Sequence, residues 1–559
     1  MIDIQKLHEI ISQGEAVDRE FKSDRGREFS DKEIYEEIVA MANTDGGILL
    51  IGVDDDGTIT GSRSRHGTST DANRLRSAIF NNTRPNINTR ISVITHDQKP
   101  VIVIEVDSYP DICATASGKV LHRTLGPDGK PATIPMYPHD QRSRHVDLGL
   151  LDFSAQLIET ATFDDLDPLE FERLRQTVKK HHGDLSLLDL SDIEIVKGLR
   201  LAETRGDSLV PNIAGLLLLG HEEAVRKFIP THMVHFQVLD SSGDVKVNDD
   251  LALPLIKCID EIESRFLSRL NEEEVMSGMY RIPIPAYHRD AFREVVNNAL
   301  LHRDYSRMGA VFIQWYHDYM LITNPGGFPS GITLANILVH EPKPRNERLA
   351  DAFKRIGLVE KTGRGVDRIY LGQLWYGRPA PDYSRSDVTG VRLILYDGPA
   401  SHEFTKYVVE EERAQRPFQL DDLIVMNSLL HEAGITPAKA GELTQRSSGE
   451  VKVLLQALEQ RGIIIREQTG AGETYFFAPA IAQRLGVPSE GVSSCIKNED
   501  RVVEFIRDNG RITRKEVAGI LGISDLQARD LLRKMKKAGI IEPTGTSKRA
   551  ISYILGKKD

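Results

Sequence analysis

Hydrophobic and polar positions along this 559-residue chain follow two periods, and the switches between them mark its elements. Ile4, Leu7, Ile10 and Ile11 predict a helix over residues 2–13 that Gly14 ends. Glu20, Phe21 and Lys22 alternate as a strand, with Phe21 inward and the two charges on the other face. Ile34, Ile38, Met41 and Ala42 predict a helix over 31–44, stopped by Asp45-Gly46-Gly47. Residues 48–53 are apolar throughout and read as a buried strand, with Asp54-Asp55-Asp56-Gly57 the turn after it. Residues 91–94 and 101–106 predict a further strand pair, and 119–135 a hairpin around a Gly-Pro-Asp-Gly turn. Residues 135–144, rich in Pro, His and Arg, read as an irregular linker.

Helical periodicity then covers 166–181, 192–201 and 255–270, with an apolar segment at 216–219 and a strand at 233–239. The stretch 293–306, Arg-Glu-Val-Val-Asn-Asn-Ala-Leu-Leu-His-Arg-Asp-Tyr-Ser, reads as a helix. Glu294, Asn298 and His302 recur every fourth residue along one face, while Val295, Val296, Ala299 and Leu300 fill the core side. Strands at 311–315 and 319–323 lead to Asn324-Pro325-Gly326-Gly327-Phe328. A second glycine turn, Gly363-Arg364-Gly365, opens a helix at 366–370, and a strand at 390–396 follows. Near the end one plan occurs twice, over 423–477 and 501–555: three helices, then a strand pair.

Charge sharpens this picture. The chain carries a net −11, so any nucleic-acid contact must be local. The two repeats differ: residues 501–559 hold a net +7 and 417–477 a net −3. The third helix of the second repeat offers Gln527, Arg529, Arg533, Lys534, Lys536 and Lys537, and its wing offers Lys548 and Arg549. That helix in a major groove, with the wing on phosphates, is the expected use. Arg63, Arg65, His66, Arg74, Arg76, Arg84 and Arg90 give the N-terminal unit a basic middle suited to a phosphate backbone. Cys113, Cys258 and Cys495 lie far apart, which points to a reducing cytosol and away from a zinc cluster. No apolar run approaches membrane-spanning length. The absence of Gly-x-x-x-x-Gly-Lys-Ser/Thr argues against P-loop chemistry.

A carboxylate and an amide one turn apart, Glu294 and Asn298, suit Mg²⁺ and an oriented water. The run Asn-Ala-Leu-Leu-His-Arg-Asp-Tyr, with the glycine turns after it, resembles the asparagine helix of the gyrase/histidine-kinase ATPase fold. That resemblance implies an ATP and Mg²⁺ site built from Glu294, Asn298, His302, Asn324, Gly326, Gly327, Gly363, Arg364 and Gly365, with Asn298 on the metal. The sequence departs from the family at one position: the adenine-reading Asp is here Asn324, an amide that both donates and accepts. Glu15, Glu20, Phe21, Lys22 and the run 46–54, Gly-Gly-Ile-Leu-Leu-Ile-Gly-Val-Asp, resemble the Schlafen-type AlbA-like domain. In nuclease members three carboxylates hold Mg²⁺ or Mn²⁺ for RNA cleavage; by position these are Glu15, Glu20 and Asp54, with Lys22 beside them. The terminal repeats resemble tandem winged helices.

The expected fold is therefore multidomain α+β. It comprises a Schlafen AlbA-like α/β domain (1–145), an α/β connector (146–280), a two-layer ATPase-like domain (281–400) and winged helices at 415–480 and 498–559. The expected role is a cytosolic, nucleotide-responsive regulator that binds duplex DNA through the second winged helix and acts as a homo-oligomer. Its rivals are a metal-dependent endoribonuclease and a non-enzymatic regulator with a degenerate ATPase site.

Overall fold

The computed structural model describes residues 2–126, 130–277, 279–359, 364–398, 400–432, 434–469 and 472–487. It also describes most of 502–556, without 504, 508, 509, 522, 539 and 545–551. The N-terminal domain is a four-stranded sheet in the order Arg19–Lys22, Gly46–Ile51, Lys99–Asp107, Thr89–His96. Arg19–Lys22 runs parallel to Gly46–Ile51; the other pairs are antiparallel. Helix Asp31–Ala42 closes one face, its buried Ile34, Ile38 and Met41 packing on Leu49, Ile51, Ile102 and Ile104. Ser30 and Glu33 form a capping box at its start. Ile4–Gln13 covers the other face through Leu7 and Ile10.

A second sheet organises the centre. Its strand order is Val245–Leu251, Val234–Leu239, Val311–Trp315, Tyr319–Pro325, Gly390–Tyr396. Its first two strands come from the expected connector, so one sheet and one core cross the boundary expected near residue 280. Val245–Leu251 (Val-Lys-Val-Asn-Asp-Asp-Leu) is too polar to stand out by pattern; its ladder with Val234–Leu239 makes it a strand. On the helical side of the sheet lie Leu255–Leu267, Arg289–His302 and Gly365–Leu374.

Two local readings are corrected. The supposed linker contains a helix, Pro138–Asp147, with Pro138 in its first turn and Asp140 accepting from the Tyr137 N–H at 3.0 Å. The helix expected through Ser306 ends at His302. Beyond it Asp304 accepts from the backbone and hydroxyl of Ser306, a local turn that competes with helix. The first terminal repeat has the expected plan: helices Leu420–His431, Pro437–Thr444 and Ser448–Gln460, then the pair Ile464–Thr469 and Gly472–Phe477. The second contains Arg514–Leu521, Asp525–Lys537 and the strands Ile512–Thr513, Ile541–Thr544 and Ser552–Leu555. Among the described residues no helix is long and apolar enough to cross a membrane.

Candidate functional site

The asparagine helix Arg289–His302 forms one wall of a cavity of about 400 Å³. Glu294, Asn298 and His302 all line it, as their spacing requires. The opposite wall is the sheet, where Ile322, Asn324, Val391 and Leu393 face inward. Gly327 and Gly365 complete the polar rim. Gly365 opens the helix Gly365–Leu374 against Glu294, and a Cβ there would collide with the Glu294 carboxylate. Asn324 is 5 % exposed, and its Nδ2 has no hydrogen-bond partner among the described residues. A buried amide donor left facing a cavity is costly unless something enters to accept from it. Burial and the nearby Arg345 guanidinium pull His302 down to about 4, so at neutral pH it is an uncharged donor or acceptor.

Two expected nucleotide residues stand elsewhere. Arg364 is exposed at the start of its helix and is not in the cavity wall. Gly363 lies outside the described residues. Gly326, at φ 91°, packs behind the cavity, where a Cβ would meet Asp304 Cβ at 2.8 Å and Arg345 Cζ at 3.1 Å.

That packing exposes a junction the sequence did not announce. Asp304 is fully buried, accepts from Ser143 Oγ at 2.7 Å, and faces Arg307 at 3.2 Å and Arg345 at 3.6 Å. Burial opposes its charge, but Arg345, Ser143, Ser306 and Arg307 outweigh it and hold its carboxyl below the usual range. Arg345 also pairs with Asp147 and donates to Gly327 O at 2.6 Å, on the cavity rim. From the same helix as Ser143 and Asp147, Arg144 donates to Thr44 O at 2.7 Å and Ser108 Oγ at 2.8 Å in the N-terminal domain. Helix Pro138–Asp147 thus bolts the N-terminal sheet to the cavity rim.

The N-terminal carboxylates are arranged differently from the expectation. Glu20 is 7 % exposed and ion-paired to both Lys22 and the fully buried Arg123. Arg123 also reaches Glu37 at 3.2 Å, and Thr133 donates to Glu37 at 2.7 Å. Glu15 accepts from the Phe21 N–H at 3.0 Å; burial raises its carboxyl above the usual range, and Glu20 and Asp55 add to the rise. Asp54 instead accepts from Thr60 at 3.1 Å. Glu15, Glu20 and Lys22 are brought together, and Glu37, held by Arg123, joins them. Among the described residues no group of three His, Cys, Asp or Glu is placed to hold a metal ion. Arg123 has a faint sequence signal: it shares the inward face of its strand with Leu121. In the basic middle Arg65 is buried against Asp24, while Arg63, Arg74, Arg84 and Arg90 are exposed, Arg90 in a surface pair with Asp107 at 2.6 Å.

In the second winged helix, Arg529, Arg533, Lys534, Lys536 and Lys537 are exposed on the helix Asp525–Lys537, while Gln527 is half-buried. Lys548 and Arg549 lie outside the described residues.

Comparisons with known proteins agree with this layout. The family model described as "Schlafen, AlbA_2" matches residues 15–130. The model for the C-terminal region of the ATP-dependent DNA helicase recG, an ATPase-type model, matches 309–395. A domain of unknown function matches 146–235, and a winged helix-turn-helix DNA-binding model matches 501–542. No curated protein matches. The crystal structure of the DIP2311 protein from Corynebacterium diphtheriae is similar in fold, with a TM-score of 0.50 and 22 % identity. The match covers 86 % of this chain and 98 % of that one. ScpB from Mycobacterium tuberculosis, 16 % identical over 24 % of this chain and 89 % of its own, has a TM-score of 0.10 and bears on nothing here. The chain therefore joins a Schlafen-type AlbA_2 domain, an ATPase-like domain and a winged helix in one polypeptide.

Proposed function

We propose that this protein is a nucleic-acid-binding regulator whose state is set by a nucleotide in the Asn298 cavity. The observation that carries the reading is the buried Asn324 Nδ2, without a hydrogen-bond partner among the described residues, in the wall of a cavity also lined by Glu294 and Asn298. A purine edge pairs a donor with an acceptor, as an amide does, so Asn324 suits a base more broadly than a carboxylate. Asn298 through its side-chain oxygen would hold a Mg²⁺ that neutralises phosphate charge, and Glu294 would orient water beside it. The Arg345–Asp147–Ser143 junction carries any change at the cavity rim to the N-terminal domain. The N-terminal unit acts in this reading as a binding module. Its Glu20 and Glu37 charges are already neutralised by Arg123 and Lys22, which supports binding over metal-assisted cleavage.

The test is thermal denaturation with ATP or GTP, each with Mg²⁺, because a ligand that binds only the folded state raises Tm. A rise that Asn298→Ala abolishes is expected. A Tm indifferent to millimolar nucleotide would retire the reading.

A further inference from the structure

The helix Asp525–Lys537 buries Ala528, Leu532 and Met535 in the core of its own winged helix. At about 100° per residue, the face opposite those three carries Leu526, Asp530, Arg533 and Lys537. This outward face is the one a winged helix offers to a major groove. Here its first half is already covered. Leu526 is 4 % exposed and clusters with Ile394 and Tyr396 of the central sheet, with Tyr319 and Leu321 packed around them. Arg385 reaches Asp530 at 3.4 Å. Arg533 and Lys537 stay exposed.

Strand alternation explains why the sheet accepts this helix. Met320, Ile322, Leu393 and Leu395 point to the helical core, so Tyr319, Leu321, Ile394 and Tyr396 point to the opposite side. That second face is apolar and unsuited to water. The winged helix supplies its cover.

We propose that the ATPase-like sheet holds the second winged helix closed, and that duplex DNA and the sheet compete for the same face of the helix Asp525–Lys537. Leu526 and Arg533 sit on one face, so the helix cannot lie in a groove while Leu526 is buried on Tyr396. DNA then binds only the released fraction, and its apparent affinity falls by that fraction. The inference rests on the reading of the second winged helix as a DNA-binding unit.

The experiment leaves the helix itself untouched. Arg385→Ala and, separately, Tyr319→Ala are made in the full chain. Affinity for a fluorescent 30-base-pair duplex is measured by anisotropy, and amide exchange of residues 525–537 by mass spectrometry. Both variants should bind duplex about tenfold more tightly and exchange faster in that helix. Tighter binding by Arg385→Ala is diagnostic, because loss of a positive charge would otherwise weaken attraction to phosphate. If wild type and both variants bind equally, competition is wrong while DNA binding stands. If none of the three binds duplex, the DNA reading falls and competition falls with it; faster exchange would then mark the contact as ordinary packing.

Discussion

The Asn298 cavity and the N-terminal carboxylate cluster look alike in sequence and differ in the folded chain. Each places acidic and polar residues at spacings that bring them together. Around Asn298 they line a hollow, and the Asn324 Nδ2 has no partner among the described residues. Around Glu20 they are closed by Arg123, which arrives from 103 residues away. Convergence alone therefore does not make a reactive site. What matters is whether the convergent polar groups line open space or close on one another.

Breaking the closed cluster should give the largest effect. Arg123→Ala leaves Glu20 and Glu37 buried without their cation, and should cost about 3–5 kcal/mol in chemical denaturation. If that variant instead stays fully stable and gains Mn²⁺-dependent RNA cleavage, Arg123 masks a nuclease site and the contrast is wrong. On the cavity side, Asn324→Leu replaces the unpartnered amide with an apolar group. It should erase nucleotide stabilisation, about 2.7 kcal/mol at a hundredfold excess over Kd, while leaving unliganded stability near wild type. An unchanged nucleotide response would remove Asn324 from the site.

The junction between the two regions should give a smaller change. Ser143→Ala removes a buried bond to Asp304 and should cost about 1 kcal/mol. The informative readout is amide exchange in residues 44–51 on adding nucleotide: coupling through helix Pro138–Asp147 predicts that the response shrinks. A pH dependence gives a separate check. His232, buried with its Nε2 at 2.8 Å from Leu253 O, is pulled down to about 4. Between about pH 6.5 and 4 the unfolded chain takes up a proton that the folded chain refuses. This contribution to stability is thus present at neutral pH and lost as pH falls. Urea midpoints at pH 7 and 5 should fall less in His232→Gln than in wild type.

Much of this was legible in the chain. The strands Arg19–Lys22 and Gly46–Ile51, the row Glu294, Asn298, His302 and the plan of the first terminal repeat follow from periods of 2.0 and 3.6 residues, which are local properties of the backbone. Local pattern also fixed which side of the asparagine helix is apolar, and hence that its polar row faces one place. Long-range pairing was not legible. That Val245–Leu251 is a strand depends on Val234–Leu239 beside it. That Arg65 and Arg90 are spent on Asp24 and Asp107 depends on carboxylates 41 and 17 residues away. The same holds for Arg123 at Glu20, for Asp304 under helix Pro138–Asp147, and for Leu526 on the outer face of the central sheet. A side chain's type and local period determine which face it occupies. Only the packing of distant segments decides what meets that face, because ion pairing and burial act through space and carry no period along the chain.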